Sequence, residues 1–163
     1  MKFQKYMAVG ILGLTMALGF SGCQSENQKN QDAYRKIGIN SMAEGDYDKA
    51  VKSFQKALDT SLGKIGAEEI DICYYKAAAQ FAKKDYDGAI ETYTSLIDYD
   101  KENANAYYLR GSVYLDTDKK DKAFKDYKNA VKYAGREYEI YEGIYENLTN
   151  KGETEEAKNY LKK

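Results

Sequence analysis

The sequence contains no histidine, no proline and no tryptophan, and it has only two cysteines, Cys23 and Cys73. Without histidine, the Ser-His and Cys-His pairs of nucleophilic catalysis and the usual histidine-containing zinc sites cannot be built. A pair of carboxylates alone can hydrolyse glycosides, but no stretch of this sequence concentrates such a pair in a recognisable pocket. We therefore expect no enzyme activity, no metal site and no cofactor.

The chain also lacks an excess of either charge, since 25 basic and 26 acidic residues give a net charge of −1. Nucleic-acid-binding proteins usually carry a basic face, so this balance argues against a nucleic-acid partner. With 43% hydrophobic and 31% charged residues, the composition indicates one globular domain in addition to the N-terminal segment. Because proline is absent, other residues must delimit the helices. We expect Gly45 to end one helix and Asp46 to cap the next.

The N-terminal segment is unlike the rest of the chain. Lys2 and Lys5 precede an apolar run from Met7 to Phe20, which is interrupted only by glycines and Thr15. This run is shorter than the roughly 20 residues that a membrane-spanning helix needs. A basic start followed by a short apolar run is typical of a secretory signal.

The apolar run ends in Ser21-Gly22-Cys23, which resembles the bacterial lipoprotein signal, although Phe20 stands where that family usually has leucine. The resemblance implies that residues 1–22 are removed, that Cys23 carries the lipid, and that the mature chain is anchored to the extracytoplasmic face of the cell membrane. Residues 23–30 would then be the lipidated cysteine and a polar tether. The alternative is ordinary secretion with Cys23 as a free thiol. Loss of the two signal-peptide lysines would change the net charge from −1 to −3.

The remainder of the chain repeats one pattern four times. Its most regular positions are four alanines, spaced by 39, 34 and 34 residues, and a bulky apolar or aromatic residue four positions after each of them. Steps of three and four place such residues on one face of an α-helix, which we call helix B of each repeat. The positions are Ala50 and Phe54, Ala89 and Tyr93, Ala123 and Tyr127, and Ala157 and Leu161.

A second recurring position lies twelve residues before each alanine, on a preceding helix A. It holds Gly38, Ala77, Gly111 and Tyr145. A small residue on each of two helices lets their backbones approach closely, and neighbouring aromatic rings fill the remaining space. Each repeat is therefore predicted to be a helical hairpin, with a wider separation in the last one because of Tyr145.

These residues resemble the tetratricopeptide repeat, a 34-residue helix-turn-helix family. The resemblance covers residues 31–163, with repeats at about 31–64, 70–103, 104–137 and 138–163, and it is clearest in the first and third. The closing proline of the family pattern is missing from every repeat. The resemblance implies an all-α fold, a right-handed α-solenoid of about four hairpins that follows the N-terminal lipoprotein signal.

Residues 61–69 contain the five residues that lengthen the first interval to 39, and Gly63 and Gly66 mark this stretch as a loop between repeats. We interpret the extra length as neutral variation, because long surface loops cost little. The alternative is a finger that contacts a partner. Cys73 falls on the inward face of helix A in the second repeat, where we expect a buried, unreactive thiol.

In the tetratricopeptide family, certain helix A positions face a concave groove that binds protein or peptide. Carried over to this chain, they give an aromatic middle and an acidic end, which would suit a basic peptide segment. The alternative is that the aromatic residues only pack between repeats and that the acidic face is simply solvated. The predicted groove residues are Arg35, Tyr74, Phe81, Asn105, Tyr108, Glu139, Glu142 and Glu146.

The sequence therefore predicts a lipid-anchored, extracytoplasmic scaffold that binds an unidentified protein or peptide in an envelope complex. A different class of function is left open by the last hairpin, after which no separate polar capping helix follows. The chain would then be a structural spacer that oligomerises through this hairpin and has no peptide ligand.

Overall fold

The computed structural model describes residues 26–161, and every regular element in that range is helical. This confirms the all-α, solenoid-type fold class of consecutive helical hairpins. The chain divides into two compact units, of which the first ends at Thr92 and the second begins at Tyr93. The helices are α1 (Glu26–Ala43), α2 (Tyr47–Asp59), α3 (Ala67–Ala82), α4 (Tyr86–Tyr99), α5 (Ala104–Asp116), α6 (Lys120–Ala134), α7 (Tyr138–Asn150) and α8 (Thr154–Ala157), followed by a 3₁₀ turn, Lys158–Tyr160.

The four alanines that define the repeat are fully buried in the described chain. Ala50, Ala89, Ala123 and Ala157 each have 0% of their surface exposed. An alanine at such a position lets the neighbouring helix come close without leaving a cavity, since its side chain is a single methyl group. The spacing of the four alanines therefore predicted the buried position of each of them correctly.

In the first unit, α1 and α2 form a hairpin that closes on a glycine. A Cβ atom added at Gly38 would lie 2.5 Å from Cε1 of Phe54, which is itself 0% exposed. The Phe54 ring also stacks on the Tyr75 ring of α3, with 5.6 Å between the centroids. One aromatic ring thus fills the space beside the close helix contact and extends the core to the next helix.

The second unit has the same glycine–aromatic contact, with a tyrosine in place of the phenylalanine. A Cβ atom at Gly111 would lie 2.8 Å from the ring of Tyr127 and 3.3 Å from the Ala123 carbonyl oxygen. Tyr127 is fully buried, and its hydroxyl donates to Ser112 Oγ at 3.4 Å. Burial raises the pKa of this phenol above its usual range. The predicted small-against-aromatic contact is therefore present in both units.

The turns between paired helices follow the predicted chemistry. Gly45 has a φ of +79°, which is the left-handed conformation that glycine adopts at low cost after a helix. Asp46 then accepts a hydrogen bond from the Lys49 backbone N–H at 3.0 Å. Asp85 caps α4 in the same way, accepting from the Gly88 N–H at 3.1 Å. Glycine therefore ends a helix and aspartate caps the start of the next one, in a chain that has no proline to delimit its helices.

The predicted polar tether is partly helical, since α1 begins at Glu26 rather than near residue 32. Residues 24–30 show no apolar periodicity, so no pattern indicated that the helix extends over them. The reason lies in contacts with another helix. Gln28 Nε2 donates to Glu68 Oε2 and Gln31 Nε2 donates to Glu69 Oε1 at 2.7 Å, so polar rather than apolar contacts hold this end of α1.

The last hairpin also differs from the prediction, because its second helix is only four residues long and continues as a 3₁₀ turn. Tyr160 in that turn is 7% exposed, and its ring meets the Tyr127 ring edge-on at 6.3 Å. Leu161, assigned by the repeat to the inward position, is 60% exposed instead. The 3₁₀ geometry rotates the chain by a larger angle per residue, which brings the tyrosine inward in place of the leucine.

Candidate functional site

The predicted groove residues of the first unit lie on α1 and α3. Arg35 is engaged rather than free, because its Nε donates to Asp71 Oδ2 at 3.0 Å and its Nη2 contacts the same oxygen. Its guanidinium also lies 5.4 Å from the centroid of the Tyr75 ring. Burial alone would lower the pKa of Arg35, but Asp71 more than offsets it and the pKa rises. A ligand carboxylate would have to compete with Asp71 for this cation.

Tyr74 and Phe81 lie on α3 and are both half-buried. The Phe81 ring meets Tyr86 of α4 edge-on, with 5.5 Å between the centroids. Part of the Phe81 side chain therefore packs within the unit, in line with the alternative stated above. The rest of each side chain reaches solvent, so these two residues keep an accessible aromatic surface on α3.

In the second unit, Tyr108 is a core residue and is only 7% exposed. Its ring lies 6.3 Å from the Tyr127 ring, and a Cβ atom at Gly143 of α7 would lie 2.4 Å from its hydroxyl oxygen. Asn147 of α7 donates to Ser112 Oγ at 2.8 Å and to the Tyr108 hydroxyl at 3.5 Å. Helix α7 thus covers the face of α5 that was expected to bind a ligand. Tyr108 therefore packs within the second unit, with little of its surface left exposed.

The residues of the predicted groove that remain accessible in the second unit are mainly acidic. Asn105 on α5 is half-buried. On α7, Glu139 and Glu142 are exposed and Glu146 is half-buried, at spacings of three and four residues. We call these three glutamates the acidic stripe. Within residues 26–161 no lysine or arginine forms an ion pair with any of them, so their charges are not compensated there.

The most deeply buried ion pair of the second unit was not foreseen from the sequence. Asp126 has 4% of its side chain exposed, and it accepts from Arg110 Nε at 2.7 Å and Nη2 at 2.8 Å. Arg110 Nη1 also donates to Thr94 Oγ1 at 2.9 Å, and the guanidinium lies 5.7 Å from the Tyr107 ring centroid. The only trace of this pair in the sequence is a carboxylate directly before the inward-facing Tyr127.

The Cys73 thiol is half-buried on α3. Burial is the main cause that raises its pKa above the ordinary value, and Glu69 adds to this, while Lys76 partly opposes it. Because the thiolate is the nucleophile, a raised pKa slows reaction with alkylating agents.

We therefore predict that iodoacetamide alkylates Cys73 several-fold more slowly in the native protein than in urea, and that the native rate keeps rising with pH above the ordinary cysteine pKa. Mass spectrometry of the Cys73 peptide after timed quenching measures both rates. Equal rates in the native and unfolded protein would show that this thiol is not protected.

In the described chain, no cluster of three or more acidic or cysteine side chains is arranged to hold a metal ion. Among residues 26–161, none of the helices combines the length and the apolar character required to cross a bilayer. The proposed lipid site, Cys23, lies outside the described residues.

Comparison with protein families gives three matches that overlap along the chain. A model described as tetratricopeptide repeat matches residues 35–94, one described as TPR repeat matches 77–118, and a second tetratricopeptide-repeat model matches 104–136. No curated protein matches the sequence.

Solved structures show the same fold. A crystal structure of MamA is 25% identical, with a TM-score of 0.63, over 82% of this chain and 75% of that one. MamA from residue 41 to its end, from Desulfovibrio magneticus RS-1, is 22% identical with a TM-score of 0.64, over 83% and 73% of the two chains. The Arabidopsis OM64 TPR domain is 17% identical with a TM-score of 0.61, over 76% and 98%. With its buried alanines, its close glycine–aromatic contacts and family matches from residue 35 to residue 136, the chain is a tetratricopeptide-repeat protein.

Proposed function

We propose that this protein is a lipid-anchored scaffold on the extracytoplasmic face of the cell membrane, and that it binds a basic segment of a partner protein. Proteins built from these repeats generally bind other proteins, and the described chain offers helical surfaces for such binding. The anchor is proposed from the motif Ser21-Gly22-Cys23 at the end of the apolar run. Acyl chains on Cys23 would hold the domain on the membrane without any spanning helix.

The acidic stripe is the observation that carries the binding part of the proposal. Glu139, Glu142 and Glu146 lie on one face of α7, and like charges three or four residues apart destabilise a helix by roughly 0.2–0.5 kcal/mol per pair. The three glutamates form no ion pair within the described residues, so their charges repel one another in the unbound protein. A lysine-rich or arginine-rich segment placed along α7 would relieve this repulsion, which gives the surface a preference for basic ligands.

Substitutions that replace the charged glutamates of the acidic stripe with neutral glutamines test this proposal. We expect the triple variant Glu139→Gln, Glu142→Gln, Glu146→Gln to bind a fluorescent lysine-rich peptide about tenfold more weakly, because three exposed ion pairs at about 0.5 kcal/mol each amount to about 1.5 kcal/mol. Fluorescence anisotropy at low and high salt measures the affinity. Binding to the unchanged protein should weaken as salt rises, since exposed charges are screened.

A matched control triple variant is available in the same unit: Glu102→Gln, Asp121→Asn, Glu137→Gln. These three carboxylates are exposed and the net charge changes equally, but none of them lies within α7: Glu102 precedes α5, Asp121 is on α6, and Glu137 immediately precedes α7. The control should keep the affinity of the unchanged protein. Equal loss in both triple variants would show that only net charge matters, and no loss in either would contradict the stripe as the binding surface. Crosslinking on isolated membranes with the same variants then identifies the partner.

The spacer function has one specific observation in its favour, which is the exposed Leu161 after a last helix of only four residues. An apolar residue at the end of a stack of hairpins can join two copies. Light scattering at high protein concentration separates the two functions. A monomer that still binds the basic peptide excludes the spacer function. An oligomer that does not bind the peptide, and that the substitution Leu161→Ser converts to monomers, supports it.

A further inference from the structure

The loop between α2 and α3 exposes two aliphatic side chains. Leu62 is 76% exposed and Ile65 is 55% exposed, with the exposed Lys64 between them. The loop is a defined turn, because the Lys64 N–H donates to the Ser61 carbonyl oxygen at 3.1 Å and both Leu62 and Gly63 have positive φ. A leucine in the left-handed conformation is uncommon and is strained. The loop thus keeps an apolar residue at its tip at a conformational cost.

This loop lies at the end of the first unit where α1 begins. Glu69 near the start of α3 accepts from the Gly66 N–H at 2.8 Å and from Gln31 of α1 at 2.7 Å, and Glu68 accepts from Gln28. The opposite end of α3 is tied elsewhere, since Lys83 pairs with Asp48 at the start of α2. Helices α1 and α3 therefore run in the same direction, and the start of α1 and the loop share one end of the unit.

The same end is the one nearest the proposed lipid. Cys23 precedes Glu26, the first described residue, by three positions, and three residues span at most about 11 Å when fully extended. A lipid on Cys23 would consequently hold this end of the first unit within reach of the headgroups of the bilayer.

We propose that Leu62 and Ile65 insert into the outer layer of the membrane beside the lipid anchor, with Lys64 at the level of the phosphates. A pair of aliphatic side chains around one lysine matches the apolar and anionic layers of a bilayer surface. The inference rests on the anchoring proposed above, and it goes further by assigning an orientation. The anchor supplies the attachment, while the loop makes the second contact that stops the first unit from rotating about a single tether.

The five extra residues of the first interval then have a role, in place of the neutral variation that the sequence favoured. The second unit also exposes large side chains at helix termini: Tyr99 at the end of α4 is 55% exposed, and Tyr138 at the start of α7 is 65% exposed. Tyrosine is enriched at membrane interfaces. The proposal is limited to the first unit, where hydrogen bonds relate the loop to the start of α1.

The experiment uses the absence of tryptophan from the chain, which makes a single introduced tryptophan the only indole signal. The full-length protein carrying Leu62→Trp is purified with its lipid and reconstituted into phosphatidylcholine and phosphatidylglycerol vesicles with brominated acyl chains. We expect blue-shifted emission and quenching several-fold stronger than for Glu44→Trp. Glu44 is a matched exposed position that follows the other end of α1.

A second readout uses the native side chains, so that tryptophan's own preference for interfaces does not decide the result. Trypsin should cleave after Lys64 several-fold more slowly in vesicles than in detergent-free solution, while cleavage after the exposed Lys84 in the α3–α4 turn stays unchanged. The double variant Leu62→Ser, Ile65→Ser should lose this protection and keep the cleavage at Lys84.

The outcomes separate the loop from the anchor. Mass spectrometry of the N-terminal peptide tests the lipid on Cys23 directly. If the lipid is present but Lys64 is cleaved as fast in vesicles as in solution, the loop proposal is overturned and the anchor stands. If the lipid is absent and added vesicles still quench Leu62→Trp, the anchor fails and the loop contact stands. If a soluble partner protein protects Lys64 without vesicles, the loop belongs to a protein interface and the membrane assignment is wrong.

Discussion

Replacing Phe54 with alanine should lower the free energy of unfolding by about 3–5 kcal/mol, which is the usual cost of truncating a fully buried aromatic residue. The ring is 0% exposed, fits against Gly38, and stacks on Tyr75. Its removal would leave a cavity where α1, α2 and α3 meet. Urea denaturation followed by far-UV circular dichroism measures the loss. Ile37→Ala on α1, where 40% of the residue's surface is exposed, should cost under about 1 kcal/mol and serves as the control.

The same site permits a test of the glycine contact itself. Gly38→Ala in the unchanged protein should be destabilising by about 1–3 kcal/mol, because the new methyl group would overlap ring atoms of Phe54 at 2.5–2.8 Å. In the Phe54→Ala background that obstacle is gone, and alanine is favoured over glycine in a helix by about 0.5–1 kcal/mol. Gly38→Ala should therefore change sign between the two backgrounds. An equal cost in both would mean that the ring does not explain the glycine.

The fold was predictable because its main determinant is periodic. Alanine at one repeated position and, in three of the four repeats, a glycine or alanine twelve residues earlier indicate which helix face is buried, and both are visible without any knowledge of distant contacts. Capping residues such as Asp46 act within four residues of their own position, so they too can be recognised locally. Periodic and local signals together accounted for the hairpins and for most of the helix ends.

The features that escaped prediction depend on contacts between residues far apart in the sequence. The helical part of the tether is held by Gln28 and Gln31, whose partners on α3 lie 40 and 38 residues away. Tyr108 was assigned to the ligand surface because its position in the repeat faces the groove. Its burial depends on Gly143, a glycine on α7 that leaves room for the tyrosine hydroxyl. A glycine 35 residues after the tyrosine does not stand out in a single sequence.

The sequence predicted the acidic character of the candidate site but not the contacts that its individual residues make. The acidic residues of α7 were identified by their spacing, and in the structure they remain accessible. Arg35 was predicted to face the groove, and the structure pairs it with Asp71. Both residues are polar positions on helix A faces, where the sequence pattern does not distinguish an internal ion pair from a ligand contact.

The buried ion pair of the second unit leads to the other prediction with a large expected effect. Asp126→Ala should lower the free energy of unfolding by about 3–5 kcal/mol, because it leaves the charge of Arg110 without its carboxylate in a position where only 15% of the side chain is exposed. The remaining hydrogen bond from Arg110 to Thr94 does not neutralise that charge. Urea denaturation gives the value, which should change little with salt because buried pairs are poorly screened.

The double variant Arg110→Met, Asp126→Leu separates the cost of an unpaired charge from the net contribution of the pair. Replacing both partners with apolar residues of similar volume is often neutral or stabilising, so this variant should recover most of the loss. Lys151→Met, which breaks the more exposed pair with Asp116, should cost under about 1 kcal/mol and provides the surface control. If the double variant is as unstable as Asp126→Ala, the pair stabilises the second unit by its own attraction and by its contact with Tyr107, and the account based on an uncompensated buried charge is wrong.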